Sequence, residues 1–374
     1  MKRQNSAETI ELDVLTGQAL KRLVEDACSP GQRLEALLRG EVLDRIPFQI
    51  IDNTSRLVGR DIHDFFFDPV VRFKSLCAQI IRWGVPMTET ASRINSYRIG
   101  EGLGAVLNYK RGEAPSTQKY VVGAPEDFEA VRLPKLDKHL AQDVWLIDTV
   151  RERFGDTLGH PCCFLYNPFS WVGTYLRDAN LLFTDVFDRP QFVHRMCRFA
   201  TDLQLQVVAG LTRKGDCAFF MPGGFTDILS PDQYREFALP YMAELINAYP
   251  NCLFYLPVPG RPELITDMYG ALRDHRRLIC MGSSVGAHTP VKSDEELASL
   301  CRVLDGMNRP YQLAIDQNTM KNASPREIIN RVTRIMGAGN RQRAMFRTDT
   351  LDPSTPPANI DALVAAVRET GGSV

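Results

Sequence analysis

The stretch Cys217-Ala-Phe-Phe-Met-Pro-Gly-Gly224, followed by Ser230-Pro-Asp-Gln-Tyr-Arg-Glu-Phe-Ala-Leu-Pro-Tyr-Met-Ala-Glu-Leu-Ile-Asn-Ala-Tyr249 and then by Cys252-Leu-Phe-Tyr-Leu256, sets the fold. Its first run is continuously apolar, with no alternation of apolar and polar residues. A strand of that kind is buried on both faces, which is the habit of parallel sheets. Two glycines then break the chain. Ser230-Pro231 starts a helix, because proline at the first helical position gives up no hydrogen bond there. A second apolar run follows. Strand, helix and strand of this kind make one parallel βα unit.

The same unit recurs along the chain. Strands are expected at Ile46–Ile51, Val85–Thr88, Cys162–Tyr166, Cys217–Met221, Cys252–Leu256, Arg277–Met281, Tyr311–Ile315 and Ala344–Arg347. Helices are expected at Pro69–Trp83, His139–Phe154, Arg189–Arg213, Pro231–Ala248, Pro262–Leu272, Ser293–Leu304, Pro325–Met336 and Pro356–Glu369. Several open with the same signal: Asp68-Pro69, Ser324-Pro325 and Thr355-Pro356. Eight alternating strands point to an α/β fold, a (β/α)8 TIM barrel spanning 41–374. An open doubly wound sheet is the alternative. Its glycine-rich fingerprint is missing after the first strand, where the sequence reads Ile51-Asp-Asn-Thr54.

Residues 1–40 form an N-terminal helical extension, with one helix at Gly17–Cys28 and another at Gln32–Arg39 stopped by Gly40. One segment breaks the alternation. Gly104–Tyr109 and Gln118–Val122 read as a β-hairpin, either covering the barrel mouth or standing free in solvent. The glycine-rich Gly100-Glu-Gly-Leu-Gly104 precedes an extended run and reads as a turn.

Composition narrows the function. The 44 Lys+Arg balance 45 Asp+Glu, so the chain lacks the basic surplus of a nucleic-acid binder. Nine scattered cysteines with no CxxC pair read as reduced, buried thiols. No signal-peptide core and no apolar run of membrane-spanning length is seen, so the expectation is a cytoplasmic protein with no membrane partner.

In a (β/α)8 barrel, chemistry sits at the C-terminal ends of strands. Carboxylates dominate those ends: Asp52, Glu89, Asp227, Asp316 and Asp349. Carboxylates sharing a cavity split their pKa values and become a donor–acceptor pair. Each could instead cap the next helix or pair with an arginine. Arg56, Asn167 and the Gly223-Gly224 pair stand at further strand ends. Two glycines there allow backbone amides close to a ligand, or simply make a tight turn. None of the six histidines falls at a strand end, and no HxH, HxxxH or HxC spacing occurs. No transition-metal site is expected.

Several segments carry a family resemblance. They are Arg33-Leu-Glu-Ala-Leu-Leu-Arg-Gly40 with Asp44-Arg-Ile-Pro47, Gly102-Leu-Gly-Ala-Val106 with Arg111-Gly-Glu-Ala-Pro115, Asn167-Pro-Phe-Ser170, Leu229-Ser-Pro231 through Phe237-Ala-Leu-Pro-Tyr241, and Thr355-Pro-Pro-Ala-Asn-Ile360. From about Arg33 to Glu369 the chain resembles the uroporphyrinogen decarboxylase (URO-D) superfamily, which includes tetrapyrrole decarboxylases and cobamide-dependent methyltransferases. The resemblance implies a (β/α)8 barrel, a homodimer and a small-molecule substrate. By the same resemblance, the decarboxylases' two arginines after the first strand fall on Asp52 and Arg56. Their aspartate near strand two falls on Asn95, and a tyrosine after strand three on Tyr175. Their aspartate and serine after strand four fall near Gly223 and Gly224, and their late histidine at Asp349. The zinc-binding His-x-Cys-Gly of the thiol methyltransferases is replaced by Pro257-Val-Pro-Gly260, and their late cysteine by Asp349.

Three expectations follow, in order. The first is zinc-independent one-carbon (methyl) transfer of the corrinoid type, with a cobamide or corrinoid protein as partner and Asp52, Glu89, Asp349 and Tyr175 as catalytic groups. Arg56, Asn95, Asn167, Gly223, Gly224, Asp227 and Asp316 would bind substrate. The second is a decarboxylase of a small or tetrapyrrole carboxylic acid. The third is a non-catalytic binding barrel. The exchange of an arginine for Asp52 argues against a polyanionic substrate.

Overall fold

The apolar runs quoted above become strands Ala218–Phe220 and Leu253–Pro257, with helix between them. A computed structural model of the chain describes residues 6–51, 54–86, 94–110, 112, 115–257, 262–284, 294–340, 342–352 and 354–371. In chain order its strands are β1 (Phe48–Gln49), β2 (Val106–Asn108), β3 (Ser116–Lys119), β4 (Cys162–Phe164), β5 (Ala218–Phe220), β6 (Leu253–Pro257), β7 (Leu278–Ser284), β8 (Tyr311–Ile315) and β9 (Ala344–Thr348). β2 and β3 form the antiparallel hairpin; the others pair in parallel. The class is the α/β alternation of the (β/α)8 kind that the sequence predicts.

The chain falls into two compact units. The first comprises Met1–Thr90, Leu146–Pro161 and Ile279–Val374; the second comprises Ala91–Trp145 and Cys162–Leu278. The expected extension, residues 1–40, lies wholly within the first. In that unit β1 pairs with β9, β9 with β8 and β8 with β7. Phe48 lies opposite Phe346, and Gln49 opposite Arg347. Half of the strand expected at Val85–Thr88 lies outside the described residues. Its first part runs beside β1, where Ile50 N–H donates to the Pro86 carbonyl at 3.4 Å. In the second unit β5 lies between β4 and β6. Phe219 and Phe254 stack there with ring centroids 5.4 Å apart, and both are fully buried.

Four elements differ from the sequence reading. The first helix runs Ser6–Leu23, not Gly17–Cys28. Leu12, Thr16, Ala19 and Leu23 are buried, and their spacing of four, three and four puts them on one helical face. The hairpin's second strand is Ser116–Lys119, not Gln118–Val122. Val121 and Val122 instead donate backbone bonds to the carbonyls of Tyr175 and Leu176, at 3.2 and 2.8 Å. The stretch Arg189–Arg213 is a helix only from Pro190 to Leu211, with a separate helix Ala179–Asp188 before it. Of the segment read as a turn at Gly100–Gly104, Gly100–Gly102 end the helix Ile94–Gly102, and the turn is Leu103-Gly104. Among the described residues no helix is long and apolar enough to cross a membrane.

Candidate active site

In the second unit, side chains gather at the C-terminal ends of β4 and β5. Asn167 caps the short helix Pro168–Trp171, its Oδ1 accepting from Ser170 N–H at 2.8 Å. Its amide donates to the carbonyls of Pro222 and Gly223, at 3.1 and 2.9 Å. Ser170 Oγ and Thr226 Oγ1 each donate to the same Gly223 carbonyl at 2.8 Å. One carbonyl thus anchors the turn after β5 to the turn after β4. Gly224 has φ +57° and needs its glycine, and a side chain on Gly223 would meet Asp227 Oδ1 at 2.2 Å and have to displace Asp227. Of the predicted residues, Asn167, Gly223, Gly224 and Asp227 therefore come together. Asn167 is buried and braces the turn, whereas Asp227 is exposed.

Tyr175 lies on a single π-helical turn, Val172–Leu176. Such turns insert one extra residue and re-aim the side chains they carry. Its ring is fully buried, against Trp171, Tyr166 and Tyr97 at 5.5, 5.9 and 6.1 Å between centroids. Gly100 makes room for it, since a Cβ there would stand 2.7 Å from Tyr175 Cδ1. Tyr166, half-buried, is the member of this group that reaches the surface. Helix Ile94–Gly102 carries Asn95 as well, but the Asn95 side chain lies outside the described residues. The π turn is held by a buried ion pair. Arg177 Nε donates to Asp185 Oδ2 at 2.9 Å, and the two side chains are 3% and 1% exposed. Arg177 also donates to the carbonyls of Val122 and Gly123.

In the first unit, Arg56 stands on the turn Thr54–Val58, and its Nη1 donates to the Thr355 carbonyl at 2.9 Å. Thr355 itself is 1% exposed, and its Oγ1 has no hydrogen-bond partner among the described residues. Asp316 is buried and caps helix Gln317–Asn322, accepting from Thr319 N–H at 2.8 Å and Thr319 Oγ1 at 2.5 Å. It follows the capping alternative that the sequence left open. Asp349 continues β9: its N–H donates to the Ile315 carbonyl at 2.9 Å. Its Oδ1 accepts from Thr350 N–H at 2.9 Å, and its Oδ2 has no partner among the described residues. Asp52 and Glu89 lie outside the described residues.

The strand register reveals one group that the sequence reading missed. On β8, Tyr311 Oη accepts from Asn340 N–H at 2.8 Å, and Leu313 packs against Gly339. Both therefore face the helix Pro325–Ala338 and the turn that ends it. Gln312 and Ala314 must face the opposite, inner side. Gln312 pairs with Met345, and its Nε2 reaches Met345 Sδ at 3.5 Å. Ala314 pairs with Arg347, which also pairs with Gln49. Arg347 is thus an inner-face cation, 6% exposed, and Asp349 follows it on the same face. Its signal in the sequence was an arginine inside a strand expected to be buried on both sides. Among the described residues, no group of three His, Cys, Asp or Glu side chains is placed to hold a metal ion.

Parallel strands followed by helices, with polar groups gathered at strand C-termini, define an enzyme-type α/β protein. The family model described as Uroporphyrinogen decarboxylase (URO-D) matches residues 29–370, and the chain belongs to that family. No curated protein matches the chain. Among solved structures, a methyltransferase from Methanosarcina mazei superposes with a TM-score of 0.71 at 17% identity, covering 91% of this chain and 99% of that one. That similarity is one of fold. A GH5 xyloglucan-specific β-1,4-glucanase from a ruminal metagenomic library gives a TM-score of 0.35 at 9% identity, over 62% of this chain and 78% of that one.

Proposed function

We propose that this URO-D-like enzyme carries out zinc-independent methyl transfer of the corrinoid type, with Asp349 as the general acid. The observation that carries this reading is the Asp349 carboxyl at the C-terminal end of β9, with Oδ2 unengaged among the described residues. A methyl ether or amine leaves poorly as an anion. A carboxylic acid within reach gives the leaving oxygen or nitrogen its proton as the bond to the methyl carbon breaks. Asp52, Glu89 and Tyr175 are the further acid/base candidates. Arg56 and Asp316 in the first unit, and Asn95, Asn167, Gly223, Gly224 and Asp227 in the second, are the candidate substrate-binding residues.

A corrinoid, when bound, supplies the cobalt that accepts the methyl group.

The test supplies reduced cobalamin and a panel of methyl ethers and methylamines, and follows the methylcobalamin spectrum. Asp349→Asn is expected to slow transfer by about 10²–10⁴-fold. No methylation with any donor, or an unchanged rate in the variant, sinks the assignment. A second reading, decarboxylation of a small acid, is favoured by the two cations Arg56 and Arg347. Carbon dioxide release from a carboxylate panel would support it.

A further inference from the structure

Three helices of the first unit each send an arginine from the last turn into one cavity of about 400 Å³. They are Arg22 of helix Ser6–Leu23, Arg82 of helix Pro69–Trp83 and Arg368 of helix Pro357–Gly371. Cations suit helix C-termini, where the last carbonyls carry partial negative charge. That accounts for one contact, in which Arg368 Nη2 donates to the Trp83 carbonyl at 2.9 Å. It does not account for how the cations meet. A Cβ on Gly84 would stand 2.6 Å from Arg368 Nη2 and 3.5 Å from Arg22 Cζ, so two guanidinium groups converge on one glycine. Burial, then the Arg22 guanidinium, holds the Arg368 pKa below its ordinary value. The neighbouring arginines have acids of their own. Arg33 donates to Asp44 at 2.7 and 2.6 Å, Arg45 pairs with Asp26, and Arg22 pairs with Glu25. Arg82 reaches Asp361 at 3.2 Å. Arg368 differs: among the described residues its one hydrogen-bond partner is the Trp83 carbonyl, and its buried Nε has none. A buried N–H of a charged group without an acceptor marks a place for one.

We propose that this cavity binds a phosphoryl group, as inorganic phosphate or as the head of a phosphomonoester, between Arg22 and Arg368 with Arg82 at its rim. A carboxylate has two oxygens in one plane, and a single guanidinium fork satisfies it. Donors arriving from three helices suit an acceptor with oxygens on several sides. A phosphomonoester has three such oxygens and a charge of about −1.5 to −2 at pH 7. The Arg22–Glu25 and Arg82–Asp361 pairs are solvent-exposed, and pairs of that kind are weak, so both cations can turn to a stronger anion. Glu25, Asp361 and Glu369 beside them oppose it, which makes the affinity moderate and salt-sensitive. The site is separate from Asp349. Helix Pro357–Gly371 begins a short loop after β9, and Arg368 lies about 16 Å along it. The anion therefore fastens helices and takes no part in the reaction: it ties the helix Ser6–Leu23 to the last helix of the chain.

The experiment uses the full chain with sodium phosphate and glycerol 3-phosphate as probes, and sodium chloride at matched ionic strength as control. Calorimetry reads the dissociation constant, and thermal shift reads the rise in Tm that binding to the folded state brings. Phosphate is expected to bind the wild type and Asp349→Asn alike. Its dissociation constant rises roughly ten- to a hundredfold in Arg368→Gln, and less in Arg82→Gln at the exposed rim. A crystal of the wild type grown with phosphate shows the anion between Arg22 and Arg368, which decides the matter even if Arg368→Gln fails to fold. Binding of phosphate alone supports a free-ion site. Binding of glycerol 3-phosphate as well supports a site for the head of a larger molecule. The proposal is overturned if neither probe binds beyond the chloride control, if Arg368→Gln binds as tightly as wild type, or if the anion lies elsewhere. An anion seen in the crystal with no binding in solution is an adventitious ion only, and overturns it too.

Discussion

Single residues decide whether the π turn at Tyr175 keeps its shape. Asp185 accepts from Arg177 and from Arg189, at 2.9 and 2.8 Å, and is almost wholly buried. Removing one partner of a buried pair leaves a charge without compensation, at a cost of about 3–5 kcal/mol. Asp185→Asn is therefore expected to lower unfolding free energy by about that amount in urea titration, and a loss under 1 kcal/mol would contradict the brace. None of this was legible in the sequence, because the partners lie eight and four residues apart across a turn and a helix start that only the fold brings together. That Asn167 and the Gly223-Gly224 pair stand at strand ends was legible, since each follows directly on an apolar run. Arg347 was not. Only the register, pairing it with Gln49 and Ala314, tells which face it occupies.

Elements were legible where local rules govern them. Tyr311–Ile315 and Pro69–Trp83 stand where their apolar runs and caps put them. The hairpin's second strand stops at Lys119, because Val121 and Val122 pair instead with the backbone at Tyr175 and Leu176, distant in sequence. The π turns at Val172–Leu176 and Tyr234–Ala238 leave no periodic trace at all. The segment between β9 and helix Pro357–Gly371 is strapped by one carboxylate. Asp352 accepts from Ser354 Oγ and N–H and from Lys321 Nζ, at 2.5, 2.8 and 3.0 Å. The Ser354 bonds, then Lys321, hold its carboxyl down at about 2, below the ordinary 3.8. A depressed carboxyl stabilises fully above its unfolded value, and this is lost as pH falls through the folded one. The Tm difference between wild type and Asp352→Asn should therefore stay constant from pH 7 to 5 and shrink below pH 4. A difference that grows on acidification would contradict the strap.

At the scale of the whole molecule, the nine cysteines divide cleanly. Eight are buried and Cys28 is half-exposed. Burial pushes the Cys77 thiol up to about 12 and Cys301 to about 11. A thiol held protonated and out of solvent does not react as a nucleophile. Titration with a thiol reagent at pH 8 should find one reactive group in the native protein, mapped to Cys28, and nine after unfolding. Two or more rapid native thiols would show that the packing is looser than described. The chain's order of assembly adds a last point. β1 finds its hydrogen-bonding neighbour β9 about 300 residues later in the chain, so a nascent chain leaving the ribosome carries β1 without that neighbour until β9 has been made. Such an edge invites pairing with other chains. The short, two-residue β1 keeps that exposed edge small until β9 emerges.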